Sequence, residues 1–260
     1  MLNLLRNKLN NFKRIKTFGT YELALKDSFA GGYTNSELAK VVFTKNYNFR
    51  EILRSTKVIG ESEIETFVIS AILRSNKINV IDYGGGGGYH YSLTRLILGE
   101  GSSIRWAVIE NSAYVLESKN FSEINCNFYT SISQALEYVT RPDVVLAFNS
   151  IQYSADPLVA LSDLVKINAP VIILTEVPLV LGSMPIITVQ NSKLSENGPG
   201  PLPANFKDII VKYPRTYTPK ASFEEMLFDK YELRFKIHKK ELLINDEVVQ
   251  VLSYVCDLKQ

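Results

Sequence analysis

The sequence predicts an α/β fold: a helical front over residues 1–76, then a sheet of five parallel strands followed by an antiparallel C-terminal pair. Three observations carry that prediction. From Ile78 onward, short apolar runs alternate with helical periodicities, the pattern of a parallel sheet covered on both faces. The chain ends in two β-like runs joined by a short polar connection, which requires antiparallel neighbours. Five consecutive glycines, Gly84 to Gly88, separate the first apolar run from a helix. Such a run lets the backbone turn sharply and approach a ligand closely.

The elements follow in order. Residues 20–76 read as helical: a patch at Tyr21, Leu23, Ala24 and Phe29, a break at Gly31–Gly32, a helix beginning at Ser36, and a third over Glu61–Leu73. No strand is expected before residue 78. Ile78–Tyr83, Ile104–Glu110, Asn127–Tyr129, Val144–Phe148 and Val171–Thr175 read as strands. Tyr91–Leu98 and Asp156–Ile167 read as helices, with Pro157 suited to a first turn. Residues 182–219 are rich in proline and read as a long irregular insertion. Ser222 and Glu225 have the spacing of a capping box. Tyr231–Ile237 and Val248–Val255 form the closing strand pair around Asn245–Asp246. The expected division is a helical extension at 1–76 and a ligand-binding domain at 77–260.

Composition excludes several classes. With 260 residues, 46% hydrophobic and 22% charged, the chain can bury a core and is not disordered. No apolar run reaches the roughly 20 residues that span a membrane. The net charge of 29 − 27 = +2 gives no bulk case for nucleic acid. Two cysteines and two histidines make a disulfide framework or a histidine-based metal site unexpected. The charge is uneven: Arg6, Lys8, Lys13, Arg14 and Lys16 precede the first acid, and Leu2, Leu5, Leu9, Phe12 and Ile15 recur at helical spacing. Asn and Lys interrupt any signal-peptide core, so a cytoplasmic protein is expected. Two readings of this basic stretch stand: a terminal helix docked on its own domain, or attachment to an anionic membrane surface or a partner.

The glycine run defines its ligand by elimination. No Lys-Ser/Thr pair follows Gly88, so it is not a triphosphate loop. Every register of the dinucleotide fingerprint puts Tyr89, His90 or Tyr91 where the third glycine belongs. Asp82-x-Gly84-x-Gly86-x-Gly88 instead resembles the first motif of S-adenosylmethionine-dependent methyltransferases of the Rossmann-like class. Glu110, 22 residues after Gly88 at a strand end, is placed to accept both ribose hydroxyls of an adenosine ligand. Tyr129 after the third strand is expected on the adenine side, and Asn149 and Gln152 after the fourth on the methionine side.

At these residues the chain is similar to a family of methyltransferases encoded among bacterial surface-polysaccharide and lipopolysaccharide genes. The resemblance covers roughly residues 17–256. It is carried by Phe18–Leu25 with Gly31-Gly32-Tyr33, by the glycine motif with Tyr89 and Tyr91, and by Trp106–Glu110. Asp143–Leu146 leading to Ile151-Gln152-Tyr153, then Ile187–Gln190 and Tyr213-Pro214, complete it. It implies a class I methyltransferase sheet, S-adenosylmethionine as cofactor, and a sugar or glycan precursor as acceptor. One departure stands out: Thr175-Glu176-Val177-Pro178 replaces the family's Asp-Arg-Thr-Pro, so an arginine that could hold an acidic substrate is absent.

Transfer to a sugar hydroxyl calls for a general base. His90 at the helix start, Glu176 at the end of the fifth strand and Tyr153 are the candidates, with Asp156 beside them. Tyr213 and Tyr217 in the insertion are candidates to cover the acceptor. Two other functions are weighed against methyl transfer. A non-catalytic scaffold of the same fold in a glycan-assembly complex remains open. Aminopropyl transfer is disfavoured by the helical front and by Phe148-Asn149-Ser150, where an amine-binding aspartate would stand.

Overall fold

The computed structural model describes residues 14–28, 32–56, 77–99, 103–121 and 126–260. In chain order its elements are β1 (Thr17–Phe18), α1 (Tyr21–Asp27), α2 (Ser36–Thr56), β2 (Lys77–Tyr83), α3 (Tyr89–Leu98), β3 (Ser103–Ile109), α4 (Ser112–Ser118) and β4 (Cys126–Tyr129). There follow α5 (Ile132–Tyr138), β5 (Val144–Phe148), α6 (Pro157–Lys166), β6 (Val171–Val180), β7 (Ile186–Lys193), β8 (Ile210–Pro219), α7 (Lys220–Lys230), β9 (Tyr231–Ile244) and β10 (Glu247–Leu258). The expected basic stretch, apart from Arg14 to Lys16, and the helix expected over Glu61–Leu73 lie outside the described residues.

The central strands are apolar on both sides because both faces are covered. Ile81, Ala107, Val145 and Ile172 belong to one core, with Leu161 and Leu164 of α6 and Phe223 and Leu227 of α7. Val80, Trp106, Val108, Leu146 and Ile173 belong to the opposite core, with Tyr91 of α3. The strands lie parallel in the order β4-β3-β2-β5-β6. β10 is antiparallel to the far edge of β6, and β9 is antiparallel to β10. Asn245 and Asp246 turn that closing hairpin with φ of 47° and 73°. Two consecutive left-handed residues suit the twist of a two-residue hairpin, and Asn and Asp tolerate them best.

The structure departs from the sequence reading in four places. The stretch expected to be irregular, 182–219, is largely a β-hairpin: β7 and β8 pair from Ile186↔Tyr217 to Lys193↔Ile210. Its prolines cluster in the connection and at the strand ends. Pro214, inside β8, opposes Val189, and β8 meets β6 only at Thr218 and Pro219. Along most of its length β8 therefore has one free edge, where a missing N–H is tolerated. Second, a strand does precede residue 78: β1 extends the hairpin through Thr17↔Thr188 and Phe18↔Ile187. Third, α7 begins at Lys220 after Pro219, and no side chain caps it, so Ser222 and Glu225 form no capping box. Fourth, β6 continues five residues past Thr175. Near the start of the described chain, Ile15 is tied to the β9–β10 turn, its N–H donating to Asn245 Oδ1 at 2.9 Å and its carbonyl accepting from Asn245 Nδ2 at 2.7 Å.

The hairpin's long connection is pinned from α2. Lys45, 1% exposed, donates from Nζ to Ser195 O at 2.7 Å and Asn197 O at 2.8 Å. Burial pushes its ammonium pKa down, and Asp208 opposes this. Leu38, Val41 and Phe43 of α2 pack with Leu194 and Tyr213 beside it. Replacing Lys45 by Met keeps the stem but strands two carbonyls. Urea unfolding should show a loss of about 2 kcal/mol, and an unchanged midpoint would mean that the connection is held otherwise.

Candidate functional site

In an open parallel sheet, ligands gather beyond the carboxyl ends of the strands, where loops diverge. Here the ends of β2, β3, β4 and β5 open onto one cavity of about 860 Å³, within the usual range for small-molecule sites. Gly84 to Gly87, Glu110, Asn111, Thr130, Asn149 and Ser150 line its sheet side. Tyr33, Asn46, Tyr153, Gln190, Tyr213 and the Glu196–Pro199 stretch line its outer side.

Two glycines show why the loop is glycine. Gly84 has φ +68°, and a Cβ there would lie 2.4 Å from Ser150 Cβ. Gly86 has φ +58°, and its Cβ would meet only Val42, at 3.7 Å, so its backbone faces open space. The loop is thus packed from beneath and bare toward the cavity. It runs directly into α3, whose N-terminal amides carry the positive end of the helix dipole.

Glu110 closes the loop from the β3 side. Its Oε1 accepts from Gly86 N at 3.1 Å, and its Oε2 accepts from Asn111 N at 3.0 Å and Asn111 Nδ2 at 3.3 Å. Desolvation raises its pKa to about 7, against the lowering effect of the Asn111 and Gly86 N–H groups; Asp82 adds a smaller push upward. Asn111 also caps α4 through Ala113 N and Tyr114 N, and it donates to Tyr33 O at 3.1 Å. One side chain therefore joins the acidic strand end, a helix start and the outer wall. The spacing argument passed over Asn111, although Asn before a helical run is a legible cap.

Of the residues predicted to bind cofactor, Gly84, Gly86, Glu110 and Asn149 line the cavity. Four expected there do not. Asp82 is fully buried beneath the loop, its Oδ2 accepting from Trp106 Nε1 at 3.0 Å. Gly88, with φ +77°, is the N-cap of α3 and backs onto Phe128. Tyr129 packs toward Tyr138, ring centroids 6.1 Å apart, and the next residue, Thr130, takes the cavity position. Gln152 is 1% exposed and donates from Nε2 to Asn149 Oδ1 at 2.5 Å. It steadies Asn149, which is held in the left-handed region at φ 48°.

The catalytic candidates separate as well. His90 lines the cavity, its ring against Phe148 with centroids 4.3 Å apart. Tyr153 lines it too: its hydroxyl donates to Gln190 Oε1 at 3.2 Å, and burial raises its pKa. Glu176 does not reach the cavity. Register shifts between Leu252 and Tyr254, so Thr175 and Glu176 together oppose Ser253, a bulge. Glu176 has φ 51°, its N–H donates to Ser253 Oγ at 3.1 Å, and its carboxylate is paired with Lys239 Nζ at 2.6 Å. Asp156 caps α6 through Leu158 N and Val159 N. Tyr213 lines the cavity, but Tyr217 packs with Val180, Ile244 and Val249.

The outer wall is aromatic. Tyr33 lies 4.1 Å from Tyr213 and 4.9 Å from Tyr153, centroid to centroid. Gln190 ties the wall together, donating from Nε2 to Tyr213 OH at 3.3 Å and accepting at Oε1 from Arg215 at 3.1 Å.

Strand order, the antiparallel closing pair and the glycine loop at the end of β2 define a Rossmann-like class I methyltransferase fold. No family model matches the chain, and no curated protein matches it in sequence. Several solved structures are similar to the chain at low identity. An S-adenosylmethionine-dependent methyltransferase from Clostridium acetobutylicum is 12% identical over 82% of this chain and 99% of that one, with a TM-score of 0.48. A sugar N-methyltransferase from a Streptoalloteichus species is 12% identical over 82% of this chain and 93% of that one, with a TM-score of 0.46. The 1,6-didemethyltoxoflavin N1-methyltransferase of Burkholderia thailandensis, with S-adenosylhomocysteine bound, is 12% identical over 89% of this chain and 92% of that one, with a TM-score of 0.41. No helix among the described residues is long and apolar enough to cross a membrane.

Proposed function

We propose that the protein transfers a methyl group from S-adenosylmethionine to a hydroxyl of a sugar or glycan precursor, in the setting of surface-polysaccharide biosynthesis. The observation that carries this reading is the pairing of Glu110 with Gly86 at the cavity wall. A carboxylate has roughly four acceptor sites, and Glu110 uses three of them, for Gly86 N, Asn111 N and Asn111 Nδ2. The site left on Oε1 suits a ribose hydroxyl, and a second hydroxyl can replace the Asn111 amide on Oε2, while the glycine-loop amides and the α3 N-terminus favour a carboxylate. Thr130 is on the side expected for adenine and Asn149 on the side expected for the methionine portion. When bound, the cofactor supplies a sulfonium-activated methyl group for in-line displacement.

The tyrosine wall supports a sugar acceptor: ring faces stack on sugar rings, and the hydroxyls with Gln190 offer donors and acceptors. Tyr153 is a poor base at neutral pH, because its phenol is held protonated by burial. His90 is the base in this reading, and Tyr153 orients the acceptor. The surface-polysaccharide setting rests on the sequence resemblance. Mass spectrometry of surface glycans from cells with and without the gene should show one methyl group lost in its absence. Identical glycans would remove this acceptor class. Intact folding with no cofactor binding would favour the scaffold reading.

A pH dependence follows from Glu110. Its folded pKa, about 7, lies above the 4.5 of a free carboxyl, so the apo protein loses stability as pH rises from about 4.5 to 7. Ribose hydroxyls bind the ionised form, so binding below pH 7 must release a proton. Affinity should therefore rise by up to about tenfold per pH unit toward 7 and then level off. Calorimetry in buffers of different ionisation enthalpy reads that proton directly, and a flat profile from pH 5.5 to 8 would place the ribose elsewhere.

A further inference from the structure

The acidic residue of the glycine motif never reaches the cavity, and its surroundings give it another task. Asp82 is 0% exposed and lies directly under the loop: a Cβ on Gly85 would come within 2.4 Å of its Oδ2. Among the described residues Trp106 supplies its one hydrogen bond, and Oδ1 is buried without a partner. The nearest cationic candidate is His90, whose Nδ1 lies 3.6 Å from Asp82 Oδ2. That Nδ1 is itself buried and without a hydrogen-bond partner. A buried carboxylate and a buried imidazole nitrogen, both underserved, thus face one another across the strand–loop–helix turn. Leaving both unpaired would cost several times what an ordinary hydrogen bond contributes.

We propose that Asp82 is the positioning residue of His90, the two forming a carboxylate–imidazole dyad that turns the bare Nε2 of His90 toward the acceptor. The dyad's catalytic role rests on the methyl-transfer reading. A lone pair on Nδ1 would repel the carboxylate, so Nδ1 carries the proton and Nε2 does not. Asp82 takes the inward side of the ring, Phe148 takes one face, and the ring lines the cavity. In the reaction the acceptor O–H proton passes to Nε2 as the O–CH3 bond forms and the S–CH3 bond breaks, leaving a thioether and an imidazolium. The start of α3 opposes that positive charge, and Asp82 offsets the opposition. Catalytic contacts of this kind are often long before ligands bind, which accommodates the 3.6 Å separation.

The groups facing the pair come from every neighbouring element. Trp106 of β3 is a neutral donor to Asp82, and Cys126 of β4 is a thiol whose pKa is raised chiefly by burial. Glu110 at the end of β3 interacts with Asp82. Tyr89 of α3 lies beside the His90 ring, centroids 5.6 Å apart, and β5 contributes the uncharged Phe148. No cation among them competes for Asp82.

The chain's only other histidine, His238, is exposed near Glu241, so two imidazole spin systems are expected and His238→Gln leaves one. Nitrogen-15 NMR of the full chain, without cofactor or acceptor, should find neutral His90 protonated at Nδ1. Asp82→Asn keeps an acceptor for Trp106 but can present an amide N–H to His90 Nδ1, and should move neutral His90 toward the form protonated at Nε2. A wild-type His90 protonated at Nε2, or an unchanged tautomer in a folded Asp82→Asn variant, overturns the dyad. If that variant does not fold, the wild-type tautomer decides alone. Failure here leaves the methyl-transfer reading standing, whereas failure to bind S-adenosylmethionine overturns that reading while the tautomer is unaffected.

Discussion

Replacing Glu110 by Ala should weaken S-adenosylmethionine binding by about tenfold to a hundredfold, the equivalent of hydrogen bonds to one charged acceptor. The fold should survive. Glu110 bonds Gly86 N, Asn111 N and the Asn111 amide, and all of these border the cavity, where water can replace the carboxylate. The variant also loses a carboxyl whose ionisation is disfavoured, so the apo protein should become less sensitive to pH between about 4.5 and 7. Calorimetry and thermal melts check both effects. Unchanged affinity would mean that Glu110 does not hold the ribose.

Gly84→Ala should be the most destabilising single change in the loop. A left-handed alanine costs about 1–2 kcal/mol, and its Cβ would sit 2.4 Å from Ser150 Cβ. Ser150 cannot swing away freely, because its hydroxyl donates to Tyr83 O at 2.6 Å. The end of β2 or the start of the next segment must shift, for a total loss of about 2–4 kcal/mol and a melting temperature lower by roughly 5–15 °C. Gly86→Ala is the contrast. Its φ is similarly positive, but its Cβ meets only Val42 at 3.7 Å. Stability should fall by about 1 kcal/mol, while the methyl group intrudes on the cavity and weakens binding. Equal destabilisation by the two substitutions would contradict the loop packing described here.

The legible parts of the molecule were those encoded locally. Apolar runs at 78–83, 104–109 and 144–148 announce buried parallel strands because both faces of each are covered. Glu110 follows from its position at a strand end, and Gly84 and Gly86 from their register. What escaped depends on partners distant in sequence. Glu176 reads as a site residue until β10 pairs with β6 and creates a bulge opposite Ser253, 77 residues on. Tyr129 and Thr130 differ by one position at the end of β4, and only the pairing decides which side chain reaches the cavity. The β7–β8 hairpin hides behind prolines that lie mostly in its connection and at its ends. Asp82 and His90 are close in sequence, yet their contact exists only because five glycines fold α3 back over the end of β2.

The most direct measurement is a calorimetric titration of the wild-type protein with S-adenosylmethionine at pH 6 and pH 8. One site per chain is expected, bound more tightly at pH 8, with a proton released on binding at pH 6. A folded protein that takes up no S-adenosylmethionine at either pH would contradict the cofactor assignment and the methyl transfer built on it.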